Sequence, residues 1–115
     1  MGIPRRTIVL SRTTRATIPF RLRDAAGTPI NLTDQTIALV LTPPQAGGAV
    51  LTWSSGGVIV HQADQTTNTG WASLDPSLAV LEAMLGRYTF VGTITAATDP
   101  TSPRTFAYGD VFMET

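Results

Sequence analysis

A single histidine, His61, is the one imidazole available for acid–base work, and the chain has neither a thiol nor a lysine amine to join it. A hydrolase built here would need His61 as its base, because imidazole titrates nearest neutrality. Its neighbours carry no nucleophile signature such as Gly-x-Ser-x-Gly, which holds a serine on a sharp strand-to-helix turn. A lone histidine in a strand is more often a surface or hydrogen-bonded polar residue than a base. The eight acids, Asp24, Asp34, Asp64, Asp75, Glu82, Asp99, Asp110 and Glu114, are scattered. None belongs to an Asp-x-Asp-x-Asp-Gly run that would wrap calcium in oxygen ligands. A loop calcium near Asp64 or Asp99 is the remaining metal alternative. Zero cysteines exclude disulfides and thiolate metal sites together. No two acids are nominated as a facing pair for glycoside hydrolysis. Gly47-Gly48 and Gly56-Gly57 lack the lysine of a phosphate-binding loop. These residue types assign no catalytic, cofactor or metal residue, and the chain is expected not to be an enzyme.

Charge narrows the partners. The 115 residues include eight arginines and eight acids, a formal net charge of zero. Overall charge therefore gives no reason to expect nucleic acid or an anionic membrane. Charged residues make up 14% of the chain, against roughly 25% in ordinary globular proteins. Either a partner covers part of the surface, or the surface is neutral and rich in threonine. The charges are uneven: Arg5, Arg6, Arg12, Arg15, Arg21 and Arg23 all precede the first acid, Asp24. A basic start of this kind suits docking on an acidic protein surface. Thr7–Leu10 suits strand addition to a neighbour's sheet edge, and it serves equally as the domain's own first strand. Arg5, Arg6, Thr7, Ile8, Val9, Leu10 and Arg12 are the candidate partner contacts. Trp53 joins them because it borders a turn, where an exposed indole would meet a sugar or a protein. Core burial is the commoner fate of Trp53 and of Trp71. Met1–Arg6 has no apolar stretch of signal-peptide length, and no apolar run is long enough to span a bilayer. Asn31-Leu32-Thr33 reads as a chance glycosylation match.

The elements that must position these residues have period two. In Arg15–Asp24, Ala16, Ile18, Phe20 and Leu22 alternate with polar positions and Pro19, a half-buried strand. Pro19 has no N–H to donate, which puts the strand at an edge or a bulge. Ala25–Pro29 turns the chain. Thr36–Thr42 is apolar on both faces, Ile37, Leu39 and Leu41 on one and Ala38 and Val40 on the other, and is expected to be covered on both. Ala49–Trp53 and Val58–Gln62 flank Ser54–Gly57, a hairpin signal. Gly70–Leu74 is a further strand. Asp75–Gly86 alone breaks the pattern. Asp75 is the expected N-cap, Pro76 the first helical residue and Gly86 the stop, with Leu78, Leu81 and Leu85 on one stripe. Arg87–Ala96 alternates with Tyr88, Phe90 and Ile94 inward. Ala97–Pro103 is a loop, and Thr105–Met113 closes the chain, with Gly109 expected at a bulge. Strands and turns about every ten residues, with one short helix, describe a single all-β domain over 1–115, a sandwich or barrel of seven to nine strands. Residues 1–11 form either an N-terminal arm or the first strand, and the crossover helix covers about 76–85.

The order of these pieces resembles one family. Thr17–Thr33 reads Thr-Ile-Pro-Phe-Arg-Leu-Arg-Asp-Ala-Ala-Gly-Thr-Pro-Ile-Asn-Leu-Thr. Gly70-Trp71-Ala72-Ser73-Leu74, the capped helix, Leu85-Gly86-Arg87-Tyr88 and Phe106-Ala107-Tyr108-Gly109-Asp110-Val111 follow. The chain is similar in this to small immunoglobulin-like domains of tailed-bacteriophage virions, including N-terminal domains of baseplate upper proteins. The resemblance implies an immunoglobulin-like β-sandwich. It implies a structural protein of the virion, in the viral tail, baseplate or fibre attachment, made in the bacterial host cytoplasm. Its partners would be other virion proteins and copies of itself, with no cofactor. A head-decoration protein of the capsid is the alternative in the same class, and a carbohydrate or host-surface binding module the alternative in another.

Overall fold

Alternation of inward and outward side chains builds two sheets. The computed structural model describes residues 5–11, 13–15, 17–24, 26–45, 48–84 and 86–114. Their elements are β1 (Arg5–Ser11), β2 (Ile18–Arg21), β3 (Gln35–Thr42), β4 (Leu51–Ser54), β5 (Ile59–His61), β6 (Trp71–Leu74), α1 (Leu78–Ala83), β7 (Arg87–Ala96) and β8 (Arg104–Glu114). One sheet has the order β1-β8-β7-β3-β4 and the other β2-β6-β5. The chain is mostly β, and its two sheets share one core, the arrangement of a β-sandwich. Ile37, Leu39 and Leu41 enter that core from β3, Tyr88, Phe90 and Ile94 from β7, and Val111 and Met113 from β8. Ile59, Ala72 and Leu74 face them from the smaller sheet. Each such large aliphatic side chain stabilises the fold by about 1.5–3 kcal/mol. Ala16, Ala25 and Leu85, to which the sequence assigns positions, lie outside the described residues, as do 1–4, Arg12, 46–47 and 115.

β2 is an edge strand, pairing only with β6 among the described strands, and Pro19 is exposed there. Four other expectations are corrected. First, β3 is covered on one face only: Val40 is 38% exposed, because β7 and β4 flank the strand and nothing described lies over its second face. Second, β4 and β5 are not a hairpin. β4 pairs with β3, β5 with β6, and the chain crosses between sheets at 55–58. Ser55 stays with β3, its N–H donating to the Ile37 carbonyl at 2.9 Å. The Gly56-Gly57 turn then carries Ile59 to the opposite wall, where it is wholly buried.

Third, the helix is shorter than 76–85 and its cap is Ser77, whose Oγ accepts from the Val80 N–H at 3.3 Å. Asp75 is engaged elsewhere. Both its oxygens accept from Arg15, at 3.2 and 3.1 Å, a bidentate geometry that suits the guanidinium fork. Only Leu81 of the helix is buried, while Leu78 is exposed. Fourth, Gly109 marks no bulge. It pairs in register with Phe90 on one side and Arg6 on the other. The register shift falls instead between Gly92 and Thr93. A side chain at Gly92 would place its Cβ 2.7 Å from Phe106 Cζ, so the missing side chain makes room for the Phe106 ring.

Candidate interaction surface

The outer face of the five-stranded sheet is set by register. Directly paired residues project to the same side of a sheet. Val40 pairs with Val91, Val91 with Tyr108, and Tyr108 with Arg5. One turn of the pleat along lies the row Thr42, Thr89, Asp110 and Thr7, and beyond it Arg87, Phe112 and Val9. Val9, Val40, Val91, Tyr108 and Phe112 are each between 38 and 49% exposed. Five large apolar side chains thus share one face with the threonines between them. Single exposed apolar residues are ordinary, whereas a contiguous group marks an interaction surface.

A charge cluster crosses this face. Arg5 Nη2 donates to Asp110 Oδ2 at 2.8 Å and Arg87 Nη2 to Asp110 Oδ1 at 3.2 Å. The cluster ties β1 and β7 across β8. The Arg5 hydrogen bond, then that of Arg87, holds the Asp110 carboxyl below the usual carboxylate range. The Arg87 guanidinium also lies over the Phe112 ring, 5.6 Å from its centroid. Beside Asp110 is a shallow hollow of about 310 Å³, lined by Arg5, Val40, Thr42, Thr89, Val91 and Tyr108 among others.

The candidate contacts read from sequence divide sharply. Arg5, Arg6, Thr7 and Val9 are exposed on β1. Ile8 is half-buried and Leu10 is buried. They alternate toward the core, so they hold β1 in place and are not presented to a partner. Arg12 lies outside the described residues. Trp53 is a correction: it pairs with Leu39 and is 4% exposed, because its parity on β4 turns the indole inward. Trp71 is the more open indole, with the Arg21 guanidinium 5.5 Å from its ring centroid. The basic start is also largely engaged within the chain. Arg15 holds Asp75, Arg21 donates to the Thr69 carbonyl and Arg23 to the Gly27 carbonyl. Sequence reasoning missed Val40, Val91, Arg87, Tyr108 and Phe112 as surface residues, and Asp110 as the buried carboxylate between two arginines. The available signal was their parity: each is out of phase with the inward stripe of its own strand.

His61 does meet a serine. Its Nε2 lies 2.7 Å from Ser55 Oγ, which also accepts from the Ile37 N–H at 2.8 Å. The pair bridges the two sheets. Burial lowers the His61 pKa from its ordinary value of 6.5, a shift partly offset by a hydrogen bond to the Leu32 main chain. As pH falls the unfolded chain therefore takes up this proton first. The stabilisation is complete above about pH 6.5 and is lost as pH falls through the lowered folded value. Thermal melts are expected to show a lower Tm at about pH 5 than at pH 7, and this difference shrinks in His61→Gln. A melting profile unchanged by the substitution would contradict the assignment.

Among the described residues no three metal-ligating side chains cluster, and no helix is long and apolar enough to cross a membrane. No protein-family profile and no curated protein matches the chain.

Proposed function

We propose that this chain is an immunoglobulin-like structural subunit of a bacteriophage virion, at the tail, baseplate or a fibre attachment, that works through protein–protein contacts. A capsid decoration subunit is the alternative within the same class. The strand order supports the immunoglobulin-like reading. β3, β7 and β8 correspond to strands C, F and G, with β4 extending that sheet as C′, while β2, β6 and β5 correspond to B, E and D. Tyr88, buried at the start of β7 just after the helical connection, stands where immunoglobulin-like domains carry their corner tyrosine. The virion location rests on the order of motifs from Thr17 to Val111.

The observation that carries the functional reading is the exposed apolar group Val9, Val40, Val91, Tyr108 and Phe112 on one sheet face. The reading includes no turnover. The Ser55 hydroxyl is engaged by main chain and imidazole together, linking the sheets. Co-expression with the products of the flanking genes, read by size-exclusion chromatography with light scattering, is the direct test. A defined complex is expected, and Phe112→Glu should dissociate it while leaving the far-UV spectrum unchanged. A chain that stays monomeric with every flanking product would overturn the reading.

A further inference from the structure

We infer that the hollow beside Asp110 receives an acidic segment of the partner protein, with a carboxylate at Arg5 and an apolar side chain against Val40, Val91 and Tyr108. The inference rests on the assembly reading and adds the chemistry of the partner. Two guanidiniums, Arg5 and Arg87, share the single Asp110 carboxylate, so the cluster keeps one uncompensated positive charge. The Asp110 side chain is 9% exposed, whereas that of Arg5 is 65% exposed. Only Nη2 of Arg5 donates to Asp110, and a guanidinium has five N–H donors in a planar fork. The remaining donors face solvent at the rim of the hollow.

Arg6 pairs with Gly109 and so projects to the opposite side of the sheet, which leaves Arg5 and Arg87 as the cations beside the hollow. The other acid of this face, Glu114, sits at the far end of β8, opposite Ser11. The end of the sheet near the hollow is therefore cationic. Asp110 does not repel an incoming carboxylate strongly, because both of its oxygens already accept from arginine. Thr42 and Thr89 line the hollow; the Thr89 hydroxyl donates to the Thr42 carbonyl at 3.4 Å, which leaves the Thr42 hydroxyl to donate to the same carboxylate. A basic segment would meet the Arg5 guanidinium and be repelled.

The test is an NMR titration of the ¹⁵N-labelled full chain with two capped hexapeptides, one alternating Glu and Leu, the other Lys and Leu. The Glu peptide is expected to shift the amides of Arg5, Val40, Val91 and Tyr108, with a Kd on the order of a millimolar. Raising the salt from about 50 to 300 mM should weaken it several-fold, as the screening length shortens. The Lys peptide should bind at least about tenfold more weakly, as like charges oppose one another. Arg5→Gln should reduce the affinity of the Glu peptide about fivefold, the loss of a charge-assisted contact. Because Arg5 also helps hold β1, Val91→Glu provides an independent check on an exposed position. It should abolish Glu-peptide shifts and admit the Lys peptide. Equal response to both peptides, no response on this face, or shifts that grow with protein concentration alone would overturn the acidic segment. Complexes with flanking-gene products that survive Arg5→Gln and Val91→Glu would overturn it too, while leaving the assembly reading intact. Failure to form any complex would remove both.

Discussion

Gln65→Leu should lower the stability of the fold by about 3–5 kcal/mol, a large share of the whole for a domain of this size. Gln65 is 6% exposed and its amide is fully used. Oε1 accepts from the N–H groups of Leu32 and Gly70, each at 3.0 Å. Nε2 donates to the carbonyls of Gln62 and Trp71, at 2.9 and 3.2 Å. The side chain thus joins the loop before β3 to both ends of the β5–β6 connection. Leucine fits the volume and satisfies none of these groups. Two buried N–H donors lose their acceptor, at about 1–3 kcal/mol each, and relaxation recovers only part of that. Urea unfolding at constant m-value measures the difference. A loss under about 1 kcal/mol would mean that water replaces the amide there.

Gly109→Ala should detach β1 from the sheet. Gly109 has φ +156°, a region that L side chains rarely enter and that adds about 1–3 kcal/mol of strain on its own. Its absent side chain also matters in space, since a Cβ there would overlap the Arg6 main-chain carbonyl. That obstacle is backbone and cannot rotate away. The strands must separate, which releases Leu10 from the core and parts Arg5 from Asp110. The expected loss is more than about 3 kcal/mol, combining strain with the exposure of a buried leucine. Hydrogen exchange should show protection lost along β1 and β8 before the β3–β7 pair. If β1 amides stay protected in the variant, the parallel pairing of β1 with β8 is wrong. The same variant bears on function, because a detached β1 removes Arg5 from the proposed peptide hollow.

Much of the strand content was legible because period-two alternation reports burial directly. β3, β6, β7 and β8 fall close to their expected ranges, and Pro19 announces an edge through its missing N–H. The cap of α1 was not legible. Asp75 and Ser77 are both good N-caps by type, and Arg15, 60 residues away in sequence, decided between them. The β4–β5 relation was hidden for a similar reason. Ser54–Gly57 has the chemistry of a hairpin turn, but a two-glycine turn permits either a hairpin or a crossing. Which one forms depends on where Trp53 and Ile59 can both be buried. The candidate surface was legible only in outline. Arg5, Arg6, Thr7 and Val9 were read from charge and strand propensity, but nothing local ties Arg5 to Asp110 or sets Val40 beside Val91 and Tyr108.

The sequence by itself determined the β content, the stripes that form the core, and the shortage of groups able to do chemistry. These follow from composition and from near-neighbour periodicity, which need no knowledge of distant contacts. Only the tertiary structure decided which strands share a sheet, that β1 runs parallel to β8, and that Trp53 is buried while Tyr108 and Phe112 face outward. Those outcomes depend on pairing register between residues far apart in sequence, such as Arg5 with Tyr108. A register is chosen by the packing of the whole core, so no local stretch of sequence contains it.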